Sequence, residues 1–252
     1  MQPPSLNASP KSVWLSMRTL NPGAKVRLFC FPYAGGGEAA YRSWQNTPCA
    51  LGVIPVQLPG RGSRMAEPPF TRLGPLVLAL SEALASEIDG PFAFFGHSMG
   101  GLIAFELARQ LRREGKHLPV HLFISAKCSP TSTEELPSSE HSDAQLIEIL
   151  RKYEGTPGEV LEQPELMNLF LPTIRADMEL CSTYVCNPEP PLPCPITVFG
   201  GLEDHVSRRP GLEGWREYTS GAFTLRMYPG GHFFLNKWER SVLEVICRDL
   251  LG

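Results

Sequence analysis

The stretch Phe94-Phe95-Gly96-His97-Ser98-Met99-Gly100-Gly101 matches G-x-S-x-G at Gly96, Ser98 and Gly100. A strand that reverses sharply into a helix strains its central residue and crowds the positions two before and two after, so both must be tiny. The Ser98 hydroxyl is then exposed at the C-terminal edge of a sheet, above the positive end of a helix. The motif alone is common; a predicted buried strand before it and a predicted helix after it give it weight. Serine is a weak nucleophile until a base takes its proton, so a histidine and an orienting carboxylate are required. In this arrangement they follow the serine, acid first and histidine second.

Of the six histidines, His97 precedes the serine, His117 and His121 flank a predicted strand start, and His141 lies in a helical segment. His232 sits in Tyr228-Pro229-Gly230-Gly231-His232-Phe233, on a Gly-Gly loop between the last predicted strand and the final helix. That is where a loop-borne base belongs. His205 adjoins the acid candidate and reads as a loop histidine. Residues 115–133 contain no Asp or Glu, which removes one possible position for the acid. The next strand leads into Leu202-Glu203-Asp204, and Asp204 is preferred to Glu203 because a short side chain at a strand end aims more tightly. An oxyanion hole needs two backbone donors. Met99 supplies one, and Ala34, in the glycine-rich loop Phe31-Pro32-Tyr33-Ala34-Gly35-Gly36-Gly37, the other, with Tyr33 one step away. Gly35-x-Gly37-x-x-Ala40 also fits a dinucleotide fingerprint, but Gln57 stands where that site needs an acid, so no nucleotide cofactor is expected.

The elements that position these residues alternate. Lys25 to Pro32, Gly52 to Leu58, Phe92 to Phe95, Val120 to Ala126, Ile196 to Gly200 and Phe223 to Tyr228 read as short strands, with Pro55 placing the second near an edge. Leu76 to Ile88, Met99 to Glu114 and Trp238 to Leu251 read as helices. Between residues 129 and 191 the alternation breaks into helical stretches, Asp143 to Tyr153 and Glu165 to Tyr184, interrupted by Pro157, Pro164 and Pro172. The pattern predicts an α/β fold, a doubly wound, mostly parallel sheet with a helical cap. Its core is residues 25–128 and 192–252, its insert 129–191, and residues 1–24 form a loose tail.

Composition bounds the rest. The 252 residues are 42% hydrophobic and carry a net charge of −3, enough for one sizeable core and too little positive charge for a general nucleic-acid binder. The apolar window Pro91 to Ala108 contains His97 and Glu106 and reads as strand, turn and helix, not a membrane span; no secretory signal opens the chain, so a cytoplasmic protein is expected. Seven scattered cysteines without a C-x-x-C pair predict reduced thiols and no metal site.

FCFPYAGGG (29–37), LPGRGSR (58–64), FFGHSMGG (94–101), LPTIRADMEL (171–180) and GGH (230–232), in this order, resemble the type II thioesterases, stand-alone α/β-hydrolase enzymes. These act beside polyketide and nonribosomal peptide synthetases and include the medium-chain thioesterases of fatty acid synthesis. The resemblance implies hydrolysis of acyl or aminoacyl thioesters from the phosphopantetheine arm of a carrier protein, with Ser98 as nucleophile, His232 as base and then acid, and Asp204 as orienting carboxylate; a carboxylesterase, lipase or acyltransferase on the same fold is the alternative reading. It makes the insert a mobile lid over an acyl channel; Tyr33, Met167, Phe170, Ile174 and Met178 are candidate lining residues, with packing inside the lid as the other reading for those on its helices. Arg61 and Arg64 are open between contact with a carrier protein and a loop salt bridge. Arg175 and Asp177 are expected to fix a helix start after Pro172, and Trp238 to pack as a helix residue. A carrier protein is the expected partner, with no nucleic acid, membrane or cofactor, and the chain is expected to be a monomer.

Overall fold

The computed structural model describes residues 13–15, 21, 23–47, 49–88, 90–132, 141–153, 155 and 158–252. Among them, six strands form one sheet in the order β2-β1-β3-β4-β5-β6, all neighbours parallel. The strands are β1 (Val26–Phe31), β2 (Leu51–Pro55), β3 (Phe92–His97), β4 (Leu122–Ser125), β5 (Ile196–Gly201) and β6 (Phe223–Tyr228). The helices are α1 (Leu73–Leu84), α2 (Met99–Arg113), α3 (Asp143–Tyr153), α4 (Gly158–Leu161), α5 (Pro164–Ser182), α6 (Arg209–Glu213) and α7 (Leu235–Leu251).

The central strands are apolar on both faces because helices cover both faces. Phe29, Phe31, Phe92 and Phe94 join one core with residues of α1 and α2. Leu28, Cys30, Ala93 and Phe95 point the other way, into a core with Tyr41, Trp44 and the Val242 and Ile246 side chains of α7. Phe94 and Phe95 are fully buried, each contributing about 1.5–3 kcal/mol of apolar burial. Strand order reverses between β1 and β3, and in an open parallel sheet the crevice beyond the strand ends at such a point is where ligands bind.

Several expectations are corrected. β2 spans Leu51–Pro55 and so stops short of the expected Leu58, while its expected place at the sheet edge, where a residue without an amide proton is tolerated, holds. Pro172 does not interrupt α5; it lies inside the helix, whose apolar face is buried in the lid cluster on both sides of the proline. Asp177 and Arg175 therefore sit well inside α5 instead of marking its start. Trp238 has non-helical φ −110°, ψ 15° and kinks α7; its indole donates to the Pro229 carbonyl at 2.9 Å. Cys49 and Cys247 form a disulfide across 198 residues, where only thiols were expected; the other five cysteines remain thiols. Most of the expected N-terminal tail lies outside the described residues, but Leu15 within it is buried and bridges antiparallel to Val56. Among the described residues no helix is long and apolar enough to cross a membrane, and no His/Cys/Asp/Glu group suits a metal.

Candidate active site

Ser98 stands between β3 and α2 with φ 53° and ψ −118°, a conformation L residues avoid. Its amide donates to Ser125 O at 2.7 Å and its carbonyl accepts from Gly101 N at 2.9 Å, which pins the turn at both ends. A Cβ on Gly96 would lie 2.0 Å from Gly100 O, and one on Gly100 would lie 2.0 Å from Phe31 O in β1. The first crowding is within the turn, as expected; the second is against the neighbouring strand, which pairing-free sequence reasoning does not show.

The three side chains separated along the chain meet here. His232 Nε2 lies 3.0 Å from Ser98 Oγ, and its Nδ1 lies 2.9 Å from Asp204 Oδ2. The other carboxylate oxygen of Asp204 accepts the Val206 and Ser207 amides at 2.8 and 3.1 Å. Burial pushes the Asp204 pKa up, but the hydrogen bond and charge of His232 and the two amides outweigh it and hold the carboxyl below its ordinary value. With both oxygens of Asp204 occupied, an anionic Asp204 accepts the Nδ1 proton and leaves Nε2 of His232 with a lone pair facing the serine. Glu203 is exposed and instead accepts the Gly230 amide, bracing the loop that carries His232. His205 is exposed.

Ser98 opens into a small cavity of about 50 Å³ lined in part by Ala34, Met99, Tyr153, Met178, Cys181 and His232. In the loop after β1, the Gly36 amide is engaged by Tyr33 O at 2.9 Å and the Gly35 amide by Asp177 Oδ2 at 2.7 Å. The Ala34 amide has no such partner among the described residues, and Ala34 lines the same cavity as Ser98, as does Met99 at the start of α2. Of the candidate channel residues only Met178 lines this cavity. Met167 and Ile174 are buried, with Phe170 beside them, in a cluster inside the lid formed with Leu146, Leu150 and Leu161, which Met178 also joins. Tyr33 packs edge-on against Phe233 and His97, at 4.8 and 5.9 Å between ring centres. Tyr153 and Cys181 line the cavity without having been singled out, because helix periodicity does not say which turn meets the site, and Val206 and Ser207 of the loop after β5 line it too. The Tyr153 ring at the end of α3 sits 5.1 Å from that of His232.

Arg61 and Arg64 are buried ion-pair residues. Arg61 holds Asp177 at 2.6 and 2.8 Å; Arg64 holds Glu67 at 2.6 and 2.8 Å and lies over the Trp14 ring. The loop salt bridge expected for both is found for Arg64, while the bridge of Arg61 runs from the loop to α5. His97 is fully buried, its Nδ1 is 2.9 Å from Ser125 Oγ, and burial, then the neighbouring His232, keeps its pKa well below the ordinary histidine value.

A doubly wound parallel sheet, a helical insert over its C-terminal edge and a serine held at a strained strand-to-helix turn define an α/β-hydrolase. The sequence family described as thioesterase domain matches residues 26–250. The gramicidin S biosynthesis protein GrsT of Aneurinibacillus migulanus is 42% identical over 243 residues, covering 94% of this chain and 93% of that protein. Among solved structures, the RedJ thioesterase from the prodiginine pathway of Streptomyces coelicolor superposes with a TM-score of 0.84 at 40% identity, covering 90% of this chain and 87% of that one. The type II thioesterase BorB from the borrelidin biosynthetic cluster does so with a TM-score of 0.84 at 34% identity, over 94% and 98% of the two chains. The chain belongs to the thioesterase family and is a thioester hydrolase.

Proposed function

We propose that this protein hydrolyses acyl or aminoacyl thioesters carried on the phosphopantetheine arm of a carrier protein, as a stand-alone editing or release enzyme beside a polyketide, nonribosomal peptide or fatty acid synthase. The observation that carries the mechanism is the unbroken chain Asp204–His232–Ser98, with contacts of 2.9 and 3.0 Å, at the mouth of a cavity. Support for a carrier-bound substrate comes from the relatives, named for gramicidin S, prodiginine and borrelidin biosynthesis.

Ser98 Oγ attacks the thioester carbonyl carbon while Nε2 of His232 takes the hydroxyl proton. The carbonyl π electrons move onto oxygen, and the Ala34 and Met99 amides bind the oxyanion. Collapse breaks the carbon–sulfur bond, and His232 gives its proton to the leaving thiolate. Water then attacks the acyl-serine with His232 again as base, releasing the acid and restoring Ser98. Asp204 keeps the imidazole in the productive tautomer and stabilises its charged form. No cofactor is needed for any of these steps.

The test is turnover of a panel of acyl- and aminoacyl-loaded carrier proteins beside the matching free thioesters and p-nitrophenyl esters. Preference for the loaded carrier, abolished in a folded Ser98→Ala variant, supports the proposal. Equal or better turnover of oxygen esters, or hydrolysis surviving Ser98→Ala, overturns it.

A further inference from the structure

The glycine-rich loop that presents Ala34 is held from outside its own strand and helix. Asp177 of α5 is only 1% exposed, and one of its carboxylate oxygens accepts both the Gly35 amide at 2.7 Å and Nη1 of Arg61 at 2.6 Å. Its other oxygen accepts Nη2 of Arg61 at 2.8 Å. Nη1 of Arg61 also donates to the Gly36 carbonyl at 3.2 Å, so the ion pair grips the turn by a donor and by an acceptor on successive residues. Gly35 lies at φ 75°, where a Cβ would be 2.7 Å from the Ile174 side chain, so the turn is seated directly on α5.

We propose that Asp177, locked to Arg61, is a positioning residue that sets the oxyanion loop from the lid helix, so that the Ala34 amide points at the carbonyl carried by Ser98. The proposal rests on the reading of Ala34 as an oxyanion donor. Three physical points carry it. A planar guanidinium–carboxylate pair is directional and, when buried, does not exchange freely with water. By engaging the Gly35 amide, the carboxylate selects which amide of the loop stays open to the substrate. And oxyanion donors act by being held in place before charge develops, so a small displacement of the loop lowers rate more than ground-state binding. The same helix lines the substrate cavity through Met178 and Cys181. One element thus touches both the acyl group and the loop that stabilises its reaction.

Asp177→Asn and Arg61→Lys are assayed on a soluble acyl thioester, with folded fraction followed by circular dichroism. The expected result is a fall in kcat of about 10- to 100-fold with KM moved less than about threefold, below the loss typical of deleting an oxyanion donor outright. Affinity for a trifluoromethyl ketone, which forms a tetrahedral oxyanion on Ser98, is expected to fall by a matching factor, while affinity for the product acid holds. Thr173→Val is the control: Thr173 Oγ1 donates to Gly60 O at 2.6 Å, a second bond from α5 to the body that bypasses the oxyanion loop. It is expected to lower the melting temperature and leave ketone affinity unchanged. If Asp177→Asn does not fold, Arg61→Lys carries the test. Wild-type kcat and ketone affinity in a folded Asp177 or Arg61 variant overturn the proposal, as does an equal loss in Thr173→Val. Hydrolysis surviving Ser98→Ala would instead overturn the reading beneath it.

Discussion

Asp204→Asn isolates the tautomer of His232. In the native site, one oxygen of Asp204 is fixed by the Val206 and Ser207 amides and the other faces Nδ1 of His232 at 2.9 Å. An asparagine must turn its single oxygen toward those two amides, since its NH₂ group would find no acceptor there. The NH₂ then faces Nδ1, which is forced to accept, so the ring proton moves to Nε2 and points at Ser98. His232 can no longer receive the serine proton. The expected fall in kcat is about 10⁴-fold, equivalent to about 5.5 kcal/mol of lost transition-state stabilisation. Release of free thiol from a soluble thioester, measured with a thiol-reactive dye at saturating substrate, gives the number. Asp204→Ala imposes no tautomer and is expected to retain more activity than Asp204→Asn, although it leaves two amides without their acceptor. A kcat for Asp204→Asn within tenfold of wild type, or an alanine variant clearly worse than the asparagine, would refute the tautomer argument.

Gly100→Ala drives a methyl to 2.0 Å from the Phe31 carbonyl of β1, an interior strand that cannot retreat; a loss of about 4 kcal/mol or more is expected, a melting temperature lower by about 8 °C or more, and a shift under about 3 °C would show that β1 yields. Acid is expected to destabilise the fold through His121, whose pKa is lowered to about 4 by burial, against the opposing pull of Asp249. Below the ordinary value of 6.5 the unfolded chain takes up a proton that the folded one refuses, so stability is full above that pH and falls toward pH 4, by on the order of 3 kcal/mol. Urea midpoints at pH 7.5 and 4.5 should differ less in His121→Gln than in wild type; an unchanged difference contradicts this. Reducing the Cys49–Cys247 bond, or replacing both cysteines with serine, should lower stability by up to about 5 kcal/mol on a loop-entropy estimate and leave kcat unaltered. An equal urea midpoint with and without reductant would count against it.

The three side chains that converge were readable because each is tied to local punctuation: Ser98 to paired glycines, His232 to a Gly-Gly loop, Asp204 to a strand end. The empty acid position in residues 115–133 then narrowed the choice by exclusion. Strands were equally plain, since unbroken apolar runs such as Phe92–Phe95 have no other use in a sheet covered on both sides. What stayed hidden depends on contacts distant in sequence. Arg61 and Asp177 are 116 positions apart and Cys49 and Cys247 are 198, and nothing local announces either pairing. The lid was the other blind spot. Met167, Ile174 and Met178 share apolar character, yet only Met178 lines the cavity, because the periodicity of α5 marks its apolar face and not which turn of that face meets the site.

The sheet gives the two sides of the catalytic group unequal shelter. Ser98 follows β3, which is buried throughout and flanked by β1 and β4, whereas His232 hangs from β6, one of the two edge strands, every residue of which is only half-buried. Marginal strands open first, so the imidazole is moored to the least protected timber of the structure and the hydroxyl to the most protected. On warming, the His232 loop is expected to loosen while the serine turn is still whole, and cooling then has only one strand to re-lay.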